Sequence, residues 1–124
     1  MKSQLVFTAL TFVALLTSCS NEDSETLTST PPPNSTAKVT YNQNIKSIID
    51  NNCVVCHAAV PRNGAPNSLV TYAQVKESIT NRGLLNRISL PNGNGLLMPQ
   101  GGPRMPQGTI DLVAKWQQDG LLEQ

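Results

Sequence analysis

The chain has 124 residues, a formal net charge of +1 and only 4% aromatic residues. A balance this close to neutral implies no nucleic-acid surface built on accumulated Lys and Arg. One histidine and three cysteines confine any metal or redox chemistry to a few positions.

Residues 1–19 read as a leader. Lys2 gives a short positive start, and the apolar run from Leu5 to Leu16 is too short to span a bilayer as a helix. The run closes on Leu16, Thr17, Ser18 and Cys19, which resembles the lipobox of bacterial lipoproteins, where cleavage precedes a cysteine that then carries lipid. This predicts a signal peptide over 1–18 and lipidation at Cys19; an ordinary signal peptide cut nearby is the alternative. Residues 19–37 are rich in Ser, Thr and Asn and contain Pro31, Pro32 and Pro33, with almost nothing to bury, so a disordered tether is expected. Its reach is about 20–25 Å as a flexible chain. The expected location is the cell envelope, lipid-anchored, on the periplasmic side or the outer-membrane surface. Ser20, Glu22 and Asp23 resemble the export signals of some Bacteroidota lipoproteins.

The folded domain is expected over 38–124. Both phenylalanines, Phe7 and Phe12, lie in the leader, which leaves Tyr41, Tyr72 and Trp116 as its aromatics. That is a poor core for so short a domain, and small domains often recruit a metal or cofactor. From Ala37 onward eight Lys or Arg face five Asp or Glu, a formal +3.

In chain order, Ile45, Ile48, Ile49 and Val55 predict one amphipathic helix over 41–55. It runs into Cys53, Val54, Val55, Cys56 and His57, which spell C-x-x-C-H, the attachment sequence of c-type haem, and His57 is the only histidine. Two cysteine sulfurs form thioethers to the former vinyl groups, and the histidine supplies a nitrogen to the iron. In a helix, residues at i, i+3 and i+4 share a face, so all three side chains can address one side of a flat ring. Zinc would need a fourth ligand, and the third cysteine lies far upstream in the leader. A thioredoxin-like pair would need alternating strands and helices around it, and none is predicted. A cofactor-free Cys, Cys and His trio would leave two thiols open to oxidation. With Cys19 assigned to lipid and Cys53 and Cys56 to haem, no cysteine remains for a disulfide.

Pro61, Gly64 and Pro66 predict a loop after the motif. Thr71 and Gln74 form a capping-box pair ahead of Val75 and Ile79, so a second helix is expected to end near Asn81 to Gly83. Leu84, Leu85 and Ile88 predict a further turn or two. The Gly- and Pro-rich stretch from Pro91 to Gly108 excludes a regular element, yet it contains Met98 and Met105, each followed by proline. The last helix is expected from Thr109 as cap to about Asp119, with Ile110, Val113, Ala114 and Gln117 on one stripe, Leu112 beside Trp116, and Gly120 as its stop.

An iron bound by His57 has one axial position left, and its occupant decides between electron transfer and small-molecule binding. With no second histidine, Met98 and Met105 are the candidates.

From Val39 to Leu121 the chain resembles the small single-haem class I cytochromes c, in their lipoprotein form. The resemblance rests on Tyr41 to Ile45 leading to Cys53, Cys56 and His57, then on Tyr72 with Val75, on Met98, Pro99, Gly101 and Gly102, and on Ile110, Trp116 and Gly120. It implies an all-α fold of three to four helices wrapped around one covalent haem, with long Gly/Pro loops. It also implies Met98 as distal ligand and Met105 as a packing residue, with Met105 the alternative ligand. A backbone carbonyl in the loop after His57 is implied as acceptor for its second ring nitrogen, at Pro66, or at Pro61 as second choice. Met98 follows His57 by only 41 positions, fewer than in larger relatives, so one haem edge should be exposed.

The function expected is single-electron transfer by a membrane-tethered, His/Met-ligated monomer, with redox proteins at the cell envelope as partners and no nucleic acid. A haem-based small-ligand binder or sensor with a labile sixth ligand is the alternative. A small peroxidase is the weaker one, since the chain has no distal histidine.

Overall fold

The computed structural model describes residues 37–124, so the leader, Cys19 and the tether up to residue 36 lie outside the described residues. The regular elements are helical: a π-helical turn over Tyr41–Ile45, α1 over Lys46–Asn52, α2 over Tyr72–Asn81, α3 over Leu84–Ser89 and α4 over Gln107–Gln118. Among the described residues the only extended pairing is an isolated parallel bridge between Thr40 and Leu122. The expected all-α class agrees with this architecture.

The helix expected over 41–55 is corrected at both ends. It opens with a π-turn, in which the N–H of Lys46 reaches back five residues to the carbonyl of Tyr41. Asn44 braces that turn, accepting from the Thr40 N–H at 3.0 Å and donating its own N–H to the Thr40 carbonyl at 3.1 Å. The wider turn keeps Tyr41, Ile45 and Ile49 on the buried side. The α-helix then stops at Asn52. Beyond it the phase of the stripe is lost, and Val55, expected on the inner face, is 69% exposed.

The capping box predicted for α2 is present: the Thr71 hydroxyl accepts from the Gln74 N–H, and Gln74 Oε1 accepts from the Thr71 N–H at 3.1 Å. Gly83 turns the chain from α2 into α3 with φ +67, a left-handed conformation that a Cβ would penalise.

α4 begins earlier than predicted. Pro106, with φ −52, precedes the first helical residue, and its carbonyl accepts from the N–H of Thr109 and of Ile110. Thr109 is therefore inside the helix and is not its cap. Proline pre-sets the entry angle, and Gln107 ties the first turn by donating to Asp111 at 2.7 Å and accepting from Arg104 at 2.7 Å. The buried stripe is Ile110, Val113 and Trp116. Gln117, placed on that stripe by the sequence reading, is exposed; the packed face turns instead through Val113 to Trp116, whose indole is held by the Leu122 carbonyl. Gly120 follows the helix with φ +97, as the predicted stop requires.

The two ends of the domain meet over α4. Tyr41 N–H donates to the Leu122 carbonyl at 2.8 Å and Trp116 Nε1 donates to the same oxygen at 2.8 Å. The Val39 N–H donates to Asp119 Oδ2 at 2.7 Å. Around Trp116, which is fully buried, stand Tyr41 at 5.9 Å and Tyr72 at 6.4 Å between ring centroids. Ring separations of this order suit tilted and edge-on contact. The three aromatics left to the folded part thus form one cluster, joined by Val39, Ile45, Ile49, Val75, Ile110 and Val113.

Candidate haem-binding cavity

The C-x-x-C-H motif lies in a hydrogen-bonded turn just past α1. Cys53 N–H still donates to the Ile49 carbonyl at 2.8 Å, and the Cys53 carbonyl accepts from Cys56 N–H at 3.1 Å and His57 N–H at 2.9 Å. These i+3 and i+4 bonds reproduce the adjacency that a helix would give, so Cys53, Cys56 and His57 still gather on one wall. That wall belongs to a cavity of about 550 Å³, within the range of pockets that enclose a cofactor-sized ligand.

The loop after His57 folds back onto the motif. Arg62 N–H donates to the Cys56 carbonyl and Leu69 N–H to the His57 carbonyl, both at 2.8 Å. Between them, His57 Nδ1 lies 2.8 Å from the carbonyl oxygen of Asn67. A carbonyl only accepts, so Nδ1 carries a proton, and the neutral ring then has its lone pair on Nε2, the atom an iron ligand would use. The acceptor was expected at Pro66 or Pro61; it is one residue beyond the first of these. Pro66 and Pro61 are both exposed, whereas Asn67 is pinned by its side chain, which donates to Ser78 Oγ at 2.9 Å and to the Ser68 carbonyl at 3.3 Å. Ser78 is a buried residue of α2. The chain of contact therefore runs from α2 through Ser78 and Asn67 to the imidazole, an orienting arrangement of the kind that sets ligand tautomer.

Asn67 and Ser78 escaped the sequence reading. A signal existed for one of them: Ser78 completes the i, i+3, i+4 set with Val75 and Ile79, and a polar residue in a core position needs a partner. No pattern marked Asn67.

Met98 and Met105 separate cleanly. Met98 lines the same cavity as Cys53, Cys56 and His57, while Met105 is buried in the core cluster and does not reach it. The loop holding Met98 is fastened to α3, since Met98 N–H donates to the Arg87 carbonyl at 3.2 Å.

The donor set fits a haem. Burial pushes the Cys53 thiol up to about 11, so it stands at the cavity wall as a neutral thiol. Cys56 Sγ accepts from Asn63 Nδ2 at 3.5 Å. Among the described residues no three His, Cys, Asp or Glu side chains converge closely enough to hold an ion by themselves. A ring that brings its own four equatorial nitrogens asks the protein only for axial donors and two thiols, and His57, Met98, Cys53 and Cys56 border one cavity. The remaining wall includes Leu69, Leu84 and Ile88, which are buried and apolar. None of Tyr41, Tyr72 and Trp116 lines it. No described helix is long and apolar enough to cross a membrane. Comparison of the chain with known protein families, with curated proteins and with solved structures gives no match.

Proposed function

We propose that residues 38–124 form a small class I type cytochrome c domain carrying one covalent haem, and that the protein transfers single electrons from a lipid anchor at Cys19. The observation that supports this reading most is the convergence on one cavity of both motif thiols, His57 and Met98, with His57 already turned by the Asn67 carbonyl into the tautomer that frees Nε2. Cys53 and Cys56 would hold the ring through thioethers, His57 Nε2 would supply the proximal nitrogen and Met98 the sixth ligand. When bound, the group contributes an iron that accepts and releases one electron with no accompanying proton transfer.

The chain's own part is to orient and to enclose. Asn67 and Ser78 fix the imidazole plane; Leu69, Leu84 and Ile88 keep water from the wall. A thioether ligand and an apolar surround both favour ferrous over ferric iron and so raise the potential. Val55 and Val60, 69% and 77% exposed on the segment that carries the motif, supply apolar surface for a redox partner at the same membrane.

The test is an absorption spectrum of protein made with a haem-attachment system, oxidised and reduced, with a pyridine test for two thioethers. Two thioethers and a ferric methionine-to-iron band lost in Met98→Ala are expected. A haem attached without that band favours the ligand-binding alternative, and rapid saturable turnover with peroxide favours the peroxidase. Absence of haem from the purified holoprotein preparation ends the proposal. Replacing Cys19 by Ala should move the protein from the membrane to the soluble fraction.

A further inference from the structure

We propose that Arg87 provides the positive charge that meets a carboxylate of the haem, and that it does so from the residue to which Met98 is tied; this rests on the haem reading above. Among the described residues the cavity wall contains Arg82 and Arg87 and no Asp or Glu. A site lined by cations alone is matched to an anionic ligand, and haem carries two propionate carboxylates. The two arginines differ in what already holds them. Arg82 Nε donates to Glu77 Oε2 at 2.7 Å, so its charge is answered within the protein. Arg87 is half-buried, and its guanidinium makes no hydrogen bond or ion pair with any described residue. A guanidinium at the cavity wall that no described residue answers is free to take an anion, and its fork geometry suits a carboxylate.

Arg87 also touches the Met98 loop, but through its backbone: its carbonyl accepts the Met98 N–H at 3.2 Å. That bond survives any side-chain substitution. The two roles of this one residue are therefore separable: the main chain positions the sixth ligand, while the side chain neutralises charge near the iron. Removing the guanidinium leaves a carboxylate uncompensated beside the iron, which favours the ferric state and lowers the potential.

The experiment compares holoproteins of wild type, Arg87→Gln, Arg87→Lys and Arg82→Gln by midpoint potential, ferric methionine-to-iron band and pyridine spectrum. Arg87→Gln should lower the ferrous-to-ferric ratio at a fixed potential about tenfold, equivalent to about 59 mV for one electron, with the band and both thioethers unchanged. Arg87→Lys should restore most of the loss, and Arg82→Gln should shift the ratio less than Arg87→Gln. A ferrous-to-ferric ratio for Arg87→Gln within twofold of wild type at the same potential overturns the proposal. So does a lowered potential accompanied by loss of the band, which would make Arg87 a packing residue. If Arg87→Gln yields no holoprotein, Arg87→Lys and the wild type still decide: with ¹⁵N-arginine, guanidinium bands in the wild-type redox-difference infrared spectrum should move, and unmoved bands overturn the charge role. A wild type that carries no haem fails the haem reading itself, a result distinct from all of these.

Discussion

The two sides of the domain are built on different terms. On one side the chain ends, the π-turn, α1 and α4 close around Trp116, with Tyr41 and Tyr72 against it and aliphatic residues filling the rest. On the other, the loops carrying Asn67 and Met98 arch between α2, α3 and the C-x-x-C-H turn around an open space of about 550 Å³. On the first side the indole N–H finds the Leu122 carbonyl, while the buried Tyr41 hydroxyl and Thr40 Oγ1 have no hydrogen-bond partner among the described residues. The second is organised by hydrogen bonds that aim donors into a cavity. Apolar burial stabilises the domain at its closed side, whereas hydrogen bonds from its loops shape the cavity side.

Breaking the closed side should have the largest effect on stability. Trp116→Ala removes the most bulky fully buried side chain and should cost about 3–5 kcal/mol, read as a lowered urea midpoint. Against a total stability of about 5–15 kcal/mol for a domain, that approaches unfolding.

The methionines sharpen the contrast further. Met105→Ala, in the core, should cost about 2–5 kcal/mol and leave the spectrum of the ferric holoprotein intact. Met98→Ala, half-buried at the cavity, should lose less stability in urea and abolish the methionine-to-iron band. The reverse result would exchange the roles of the two.

Ser78→Ala should cost about 1 kcal/mol, because it frees the Asn67 amide that orients His57. Its distinguishing readout is a changed imidazole environment by NMR or resonance Raman spectroscopy, with little change in the urea slope.

The smallest effect is expected from acid at the meeting of the chain ends. The Val39 N–H and then Lys115 hold the Asp119 carboxyl below the ordinary carboxylate range. A folded-state value that is depressed contributes stability fully present above the unfolded value, and loses it as pH falls through the folded value. Wild type should therefore lose stability below about pH 4, and Asp119→Asn should flatten that acid limb in urea midpoints measured against pH.

Much of this was legible along the chain because it depends on neighbours in sequence. Thr71 with Gln74 announced the start of α2, Gly83 and Gly120 marked turns, and the spacing of Cys53, Cys56 and His57 survived its move from a helix into a turn because i+3 and i+4 hydrogen bonds hold both. Errors arose where a local rule met a tertiary demand. The expected stripe through Val55 failed because α1 stops at Asn52 to free the motif. The cap expected at Thr109 moved because Pro106, with Gln107 bonded to Arg104 and Asp111, starts α4 earlier.

Residue order alone was enough for the motif, the helical class and the pair of candidate methionines, since each is a matter of residue type and short spacing. Only the folded chain put Met98 at the cavity and Met105 in the core, moved the histidine's acceptor from Pro66 to Asn67 and left Arg87 at the cavity without an ion-pair partner among the described residues. Those outcomes depend on which distant segments pack together, and α2, α3 and two irregular loops reach one cavity through contacts that no local periodicity encodes.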